Sequence, residues 1–308
     1  MKNKKTIPTR IITRPDFDGI ACAVLLRAVF TQDLPILWVE PNDIDRGKVE
    51  VRKGDVLANL PYAPSCSIWF DHHKTNKIEG EFTGSFKVAP SAASVIMEYY
   101  GGELSGFSEL VYFADKIDSA TLTSEEIISP EKHPWIILSM TLTGESKHDF
   151  DYCNWLVEQL GKIDIQEILK NDIVRDRIAV FVKKNEALKS FLIENTKHHD
   201  GVALIDTRGK PDMPRGNKFL IYSLFPDAYV SVHLRRDRRN DNCDVISVGH
   251  SIVNRTCNVH SGNLVARYSG GGHQGAGSCS FGMDKTETVL AEIMETLVGN
   301  RADYCLDN

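Results

Sequence analysis

Three short stretches of the sequence combine carboxylates and imidazoles in a way that could bind metal ions. They are PDFDG at 15–19, IWFDHH at 68–73 and FADKID at 113–118. Crowded carboxylates repel one another unless a cation lies between them or one of them keeps its proton. A ligand set of oxygens and imidazoles suits Mn²⁺ or Mg²⁺. Each stretch alone also fits a solvated turn or a surface helix, so only their combination indicates a metal site.

The first stretch lies where a predicted strand passes into a predicted helix. RIIT at 10–13 has the pattern of a strand, and apolar residues recur at helical spacing over 20–30. Gly19 allows a sharp turn between the two, and an extended or loop backbone can bring Asp16 and Asp18 toward one point. In open α/β sheets, ligands bind at this end of the strands.

The other two stretches offer further ligands. His72 and His73 follow an apolar run that ends on Asp71, which places them at a strand end, although a His pair there is also common in solvated turns. On a helix, Asp115 and Asp118 would lie one turn apart on the same face. Asp118 fits a solvent-exposed position equally well, so its membership of the site stays open.

The order of predicted elements indicates the fold class. The first half alternates short β-rich runs with helical patterns, which is typical of βαβ units and a parallel sheet. A charged helical pattern follows, and then strand patterns return before a glycine-rich loop and a final helix. We therefore predict an α/β protein with a domain at 1–150, a helical connector at 151–197 and a smaller α/β domain at 198–308.

Composition narrows the function classes. The chain has 308 residues, enough for about two domains, and a net charge of −6, which argues against a broad grip on long duplex nucleic acid. No apolar run approaches the ~20 residues of a membrane span. The N-terminal segment lacks the apolar core of a signal peptide, so we expect a cytoplasmic protein whose seven scattered cysteines are reduced.

Taken together, the motifs resemble the DHH phosphoesterase family. PDFDG, FDHH and FADKID occur in the family's order, and VGHSIVNRTCNVHSGNLVARYSGGGHQGAGSCSF is similar to its C-terminal DHH-associated domain. The family includes RecJ-type exonucleases, nano-RNA and cyclic-dinucleotide phosphodiesterases, manganese pyrophosphatases and exopolyphosphatases. The resemblance covers essentially the whole chain and implies an active site in the cleft between a DHH domain and the smaller domain.

The resemblance also implies roles for individual residues. In such enzymes two divalent metals hold a hydroxide and clamp the phosphoryl group. His73 would contact the phosphate or the leaving group, and Asp71 would support a ligating imidazole. The implied metal ligands are Asp16, Asp18, Asn59, His72 and Asp115. The implied substrate-binding residues are Arg255, Gly270, Gly271, Gly272 and His273.

Two ligands of the family pattern are replaced in this sequence. Ile12 and Arg14 occupy the places where the family has a ligating His, and Asn59 stands where it has a bridging carboxylate. Arg14 could instead provide a fixed positive charge where the first metal would lie. We therefore expect one or two Mn²⁺ or Mg²⁺ ions per chain.

Two functions follow from the resemblance. The first is a metal-dependent phosphoesterase that hydrolyses a small phosphorylated substrate, such as a short oligonucleotide, a nucleotide bisphosphate or polyphosphate. The alternative is a catalytically degenerate protein that binds such a nucleotide or phosphate ligand without cleaving it. A homodimer is implied only by analogy. The basic run at 235–239 is expected on a polar hairpin turn.

Overall fold

The chain forms two compact units. A computed structural model describes residues 7–143, 148–210, 212–238 and 240–301. The first unit contains the described residues up to Thr121 together with those of Glu131–Ile178, and the second contains Leu122–Pro130 and the described residues from Ala179 onward. Arg239, part of the predicted basic hairpin, lies outside the described residues.

The elements alternate in the first unit and are strand-rich in the second. The strands are β1 (Arg10–Thr13), β2 (Ile36–Trp38), β3 (Asp55–Ala58), β4 (Ile68–Asp71), β5 (Gly84–Phe86), β6 (Thr196–His199), β7 (Val202–Asp206), β8 (Val230–Arg236), β9 (Cys243–His250), β10 (Gly271–His273) and β11 (Ala276–Gly282). The α-helices are α1 (Phe17–Phe30), α2 (Pro41–Asp45), α3 (Ala92–Tyr100), α4 (Ser108–Asp118), α5 (Ser124–Ile128), α6 (Pro134–Ser139), α7 (His148–Leu160), α8 (Ile165–Leu169), α9 (Asp172–Asn195), α10 (Leu220–Leu224), α11 (Ser261–Ala266) and α12 (Thr286–Gly299). Short 3₁₀ helices lie at Lys74–Asn76, Gly101–Phe107, Pro130–Lys132 and Met283–Lys285.

The sheet of the first unit is parallel, as the sequence predicts. Its strand order is β2-β1-β3-β4-β5, and every neighbouring pair runs parallel. The carboxyl ends of β1 and β4 therefore lie at the same edge of the sheet, and both acidic motifs begin there. The α/β fold class is confirmed.

Strand residues alternate between two apolar layers. Ile11 and Phe70 pack with the helices on one face, in a core that also contains most of α1. Their neighbours Ile12 and Trp69 point to the other face, where a second apolar cluster forms. This alternation follows from the pleat of a strand. Ile12, which stands in the place of a family ligand, is therefore a fully buried core residue.

The predicted connector at 151–197 falls into several helices. In α7, Cys153 and Leu156 are buried in the core of the first unit, and in α8 Ile168 is buried there too. The long helix α9 begins in the first unit and continues into the second. Tertiary packing thus assigns the first part of the predicted connector to the first unit.

The second unit is built on a mixed sheet. Its strand order is β10-β11-β9-β8-β7-β6, in which β7 and β8 are parallel and the other pairs are antiparallel. Val232 and Ile246 of this sheet are fully buried against Ile293 of α12 and Leu264 of α11. Among the described residues, no helix has the length and apolarity needed to cross a bilayer.

Candidate metal centre

The turn between β1 and α1 positions the first acidic motif. Asp16 is the N-cap of α1, and its Oδ1 accepts a hydrogen bond of 2.8 Å from the amide of Gly19. A Cβ atom at position 19 would lie 2.0 Å from the carbonyl oxygen of Arg14, so only glycine fits this close approach. The tight turn directs Asp18 into the protein from the first turn of the helix.

Asp18 is almost completely buried at the beginning of a second helix. Its Oδ2 accepts a hydrogen bond from the amide of Ala92, and its Oδ1 accepts one from Ala93, both at 2.9 Å. These are the first amides of α3, where the helix dipole favours a negative charge. The sequence therefore fixes this carboxylate from two helices at once.

His72 follows β4 and is held by a backbone carbonyl. Its Nδ1 lies 3.0 Å from the carbonyl oxygen of Ala89, which can only accept a hydrogen bond. Nδ1 therefore carries the proton in the neutral ring, and Nε2 is left with its lone pair. The Nε2 atom is buried and has no hydrogen-bond partner. In metal sites generally, a ligating imidazole is oriented by such a contact of its other ring nitrogen with a carbonyl oxygen.

Asp118, at the end of α4, completes the group. Its Oδ2 lies 3.3 Å from Nε2 of His72, and Oδ2 of Asp18 lies 3.8 Å from the same nitrogen. One ligand atom from each residue lies within 4.8 Å of the other two. The contact between His72 and Asp118 has the length of an ion pair but not the geometry of a hydrogen bond, so a lone pair faces a carboxylate oxygen.

The electrostatics of the group are unfavourable without a cation. Burial raises the pKa of Asp18 well above its usual range, and the nearby carboxylates of Asp118 and Asp16 raise it further. Burial also raises the pKa of Asp118, although His72 opposes this change. Negative charge is concentrated in a site that water solvates poorly.

These observations fit a divalent cation. An unpartnered imidazole nitrogen and two carboxylates that disfavour ionisation side by side form an oxygen-rich ligand set suited to Mn²⁺ or Mg²⁺. Asp18, His72 and Asp118 would hold the ion. The sequence motif predicted the first two of these residues and left Asp118 open.

Asp115, the predicted ligand of α4, is engaged elsewhere. Its Oδ1 accepts a hydrogen bond of 2.5 Å from the hydroxyl of Ser91. Ser91 is also the N-cap of α3, where its Oγ accepts from the amide of Ser94. Asp115 thus braces the helix whose first amides hold Asp18. Within the described part of the chain, it belongs to no group of three candidate ligands. Sequence reasoning missed Ser91, although a Ser before a helical pattern is a capping signal.

Asp71 supports His73 and not His72. Its Oδ1 lies 2.9 Å from Nδ1 of His73, and its Oδ2 accepts a 2.7 Å hydrogen bond from the side-chain amide of Asn76. The hydrogen bond with Asp71 raises the pKa of His73, whereas partial burial opposes the rise. Asp71, His72 and His73 lie close enough to form a second ligand group. The bond between Asp71 and His73 already accounts for that proximity.

Arg14 and Asn59 surround Asp16. Nη1 of Arg14 lies 3.1 Å from Oδ2 of Asp16, and Nδ2 of Asn59 donates a 3.1 Å hydrogen bond to Oδ1. Nε of Arg14 also lies 3.9 Å from the carboxylate of Glu40. The structure brings the predicted residues Arg14, Asp16 and Asn59 together beside the group of Asp18. Glu40 was not predicted.

The predicted substrate-binding residues lie in the second unit. Gly271, Gly272 and His273 form the exposed edge strand β10. Gly270, which precedes it, donates its amide to the carbonyl of Val265.

Arg255 and two further histidines also lie in the second unit. The side chain of Arg255 is exposed and donates Nε to the carbonyl of Ile252. Burial lowers the pKa of His250, and the nearby His260 and His273 act in the same direction. His250 and His260 lie within the stretch that resembles the DHH-associated domain, but the sequence analysis assigned no role to either.

Comparison with known proteins places the fold. No family profile matches the sequence, and no curated protein is detectably similar to it. Among solved structures, the pGpG-specific phosphodiesterase PggH from Vibrio cholerae is 29% identical, with a TM-score of 0.84 over 95% of this chain and 100% of that chain. The DHH domain of a protein described as a member of a family of ribosomal proteins is 14% identical, with a TM-score of 0.59 over 95% of this chain and 87% of that one.

RecJ from Thermus thermophilus, solved in complex with Mn²⁺, has the same fold at 12% identity. Its TM-score is 0.56, over 97% of this chain and 53% of that chain. The parallel α/β sheet followed by a mixed-sheet unit is the part of the architecture that the fold similarity covers. The chain therefore has the fold of DHH-family proteins and resembles them in its motifs.

Proposed function

We propose that the protein is a divalent-metal-dependent phosphodiesterase that hydrolyses a short linear nucleotide. The observation that carries the proposal is the group formed by Asp18, His72 and Asp118, in which the buried Nε2 of His72 has no partner. Mn²⁺ or Mg²⁺ in this group would supply Lewis-acid stabilisation of the charge that develops on the phosphoryl oxygens.

Other residues would position the ligands and contact the substrate. The carbonyl of Ala89 fixes the tautomer of His72, and the first amides of α3 fix Asp18. The ring of His73 lies beside that of His72, with 4.1 Å between the centroids, and its Nδ1 is bound to Asp71. Its Nε2 is thereby available to a substrate oxygen.

The reaction would be an in-line hydrolysis. Water adds to phosphorus and loses one proton to the solvent, the bridging P–O bond breaks, and the departing oxygen takes a proton from Nε2 of His73, which the solvent then reprotonates. The raised pKa of His73 keeps a larger fraction of the ring protonated near neutral pH, which suits a proton donor.

The similarity to PggH supports a linear dinucleotide as the substrate class. That protein is described as pGpG-specific, and the match extends over its whole length. We propose further that Arg255 and the strand at 270–273 bind a phosphate or base of the substrate. Cytoplasmic location and a homodimer stay predictions from the sequence.

The test is a panel of substrates incubated with the purified protein and Mn²⁺ or Mg²⁺. The panel contains a 5′-phosphorylated dinucleotide, a longer oligonucleotide, a nucleotide bisphosphate and polyphosphate. We expect the dinucleotide to be cleaved fastest and EDTA to abolish the cleavage. If no member is cleaved but the dinucleotide binds, the protein is a binding protein that has lost catalysis. Neither binding nor cleavage would reject the proposed function.

A further inference from the structure

The carboxylate of Asp16 is already neutralised by the protein. Its Oδ2 faces Nη1 of Arg14 at 3.1 Å, and its Oδ1 accepts hydrogen bonds from the amide of Gly19 at 2.8 Å and from Nδ2 of Asn59 at 3.1 Å. Both oxygens therefore have donors, and one donor is a permanent cation. An additional positive ion at Asp16 would lie beside the guanidinium of Arg14 and would be repelled by it.

The guanidinium of Arg14 is held from two sides. One side meets Asp16, and Nε lies 3.9 Å from Oε2 of Glu40. The Nε atom is buried and makes no hydrogen bond, so the ion pairs with these two acids retain the group in place. Asn59 contributes an amide to Asp16 and brings no negative charge of its own.

In the neighbouring group, no permanent cation is found among the described contacts. Asp18, His72 and Asp118 contain two carboxylates and an unpartnered nitrogen, and that nitrogen lies within 4 Å of both carboxylates. The charge of Asp16 is matched by the guanidinium of Arg14, whereas Asp18 and Asp118 bring two negative charges that one divalent ion would balance.

We propose that this chain binds a single divalent cation, at Asp18, His72 and Asp118, and that Arg14 replaces a second ion by holding Asp16 out of the coordination sphere. Arg14 is then a positioning residue with a fixed charge. The inference rests on the proposed function, because it concerns the same site, but it makes a separate claim about metal count.

The first experiment counts the ions. The wild-type protein and the variants Asp16→Asn and Asp118→Asn are dialysed to equilibrium against Mn²⁺, and bound manganese is measured by elemental analysis. Asp16→Asn is informative because asparagine retains the N-cap acceptor for Gly19. We expect one ion per chain in the wild type and in Asp16→Asn, and loss of the ion in Asp118→Asn.

Electron paramagnetic resonance of the Mn²⁺-loaded wild type gives an independent readout. An isolated ion has a simple hyperfine pattern, whereas an exchange-coupled pair has a broader and more complex spectrum. We expect the isolated pattern. Two ions per chain, no ion at all, or loss of manganese in Asp16→Asn would each overturn the proposal.

The second experiment tests the charge of Arg14. Arg14→Gln removes a cation next to the ion site, so Mn²⁺ affinity measured by calorimetry should increase about tenfold. Lys48→Gln is the matched control, because Lys48 pairs with Asp43 on the surface. An affinity of Arg14→Gln that is unchanged or weaker contradicts the assigned role.

The result is separable from the proposed function. Metal counting uses Mn²⁺ alone and needs no substrate. One ion per chain without hydrolysis of the panel would retain this inference and reject the phosphodiesterase. Two ions per chain together with hydrolysis of the panel would reject this inference and retain the phosphodiesterase.

Discussion

Nε2 of His72 lies 3.3 Å from Oδ2 of Asp118, while the opposite ring nitrogen lies 3.0 Å from the carbonyl of Ala89. With the Nδ1 proton donated to that carbonyl, the lone pair of Nε2 in the neutral ring faces a carboxylate oxygen. The same nitrogen is 3.8 Å from Asp18. A bound cation would convert these repulsive contacts into coordination, and Asp118 is therefore the carboxylate of α4 that we propose as a ligand.

This relationship predicts different effects for the two aspartates of α4. Asp118→Asn should lower Mn²⁺-dependent hydrolysis of the dinucleotide by more than about 100-fold, since loss of an outer-shell partner alone costs about 10–100-fold. Asp115→Asn should cost less than about tenfold, because asparagine can still accept from Ser91. Initial rates at saturating Mn²⁺ measure both effects.

A surface variant controls for the loss of a carboxylate as such. Asp43→Asn removes a carboxylate that pairs with Lys48 and belongs to none of the three motifs. It should leave the rate unchanged. If Asp115→Asn were as damaging as Asp118→Asn, the assignment of ligands based on the structure would be wrong. The original expectation from the sequence would then stand.

Much of this site could be predicted from sequence because its motifs are local. Strands β1 and β4 end just before the residues in question, and parallel strands end at one edge of the sheet. These residues are Asp16, Asp18, His72 and His73. The α/β class follows from the same alternation of elements. In these cases local pattern and tertiary structure agree.

The choice between Asp115 and Asp118 could not be made from spacing. Both lie on one face of α4, one turn apart, and the neighbours decide their roles. Ser91 at the beginning of α3 engages the first, and His72 lies beside the second. These contacts join residues distant in sequence, so no local signal could reveal them.

The division of the connector depended on tertiary contacts in the same way. The helical pattern of 151–197 is continuous, but Cys153 and Ile168 are buried in the core of the first unit. Periodicity indicates that a helix has an apolar face. It does not show which core that face joins.

The turn at Gly19 should be intolerant of any side chain. In Gly19→Ala the new Cβ would lie 2.0 Å from the carbonyl oxygen of Arg14, and the backbone would have to move. We expect a loss of about 3 kcal/mol in the free energy of unfolding, together with weaker Mn²⁺ binding. Denaturant unfolding and calorimetry measure the two quantities.

Gly102→Ala is the control for this prediction. A Cβ atom at position 102 would have no neighbour within 4 Å, so its effect on stability should be small. Equal destabilisation by the two substitutions would show that the close approach at Gly19 does not limit the turn.

We predict that His233 makes the folding stability of the protein sensitive to acid. Burial, together with the neighbouring Arg235, lowers the pKa of His233 to about 4. Because the unfolded histidine titrates near its usual pKa of about 6.5, the unfolded state binds more protons between these values. Stability is therefore lost as pH falls from about 6.5 to 4, by up to roughly 3 kcal/mol.

The measurement compares wild type with His233→Gln. Nε2 of His233 lies 3.0 Å from the hydroxyl of Thr207, and glutamine can retain a polar partner there. The variant should be less stable at neutral pH, and its deficit should shrink as the pH falls toward 4. Parallel stability curves for the two proteins would exclude His233 as the source of acid sensitivity.

Asn59 combines a backbone role with a side-chain role, and two substitutions separate them. Its φ angle is +57°, in the left-handed region, and its Nδ2 donates to Asp16. Asn59→Gly and Asn59→Ala both remove that hydrogen bond, but alanine also has to adopt a conformation that costs roughly 1–2 kcal/mol. We expect Asn59→Ala to be less stable than Asn59→Gly by about 1 kcal/mol in denaturant unfolding.

The two variants should nevertheless share one property. In both, Asp16 loses an amide donor while keeping Arg14 and the amide of Gly19, so Mn²⁺ stoichiometry should stay at the wild-type value. A change in bound manganese that is common to both variants would mean that Asn59 acts on the metal directly. The buried Oδ1 of Asn59, which has no hydrogen-bond partner, is the atom through which it would do so.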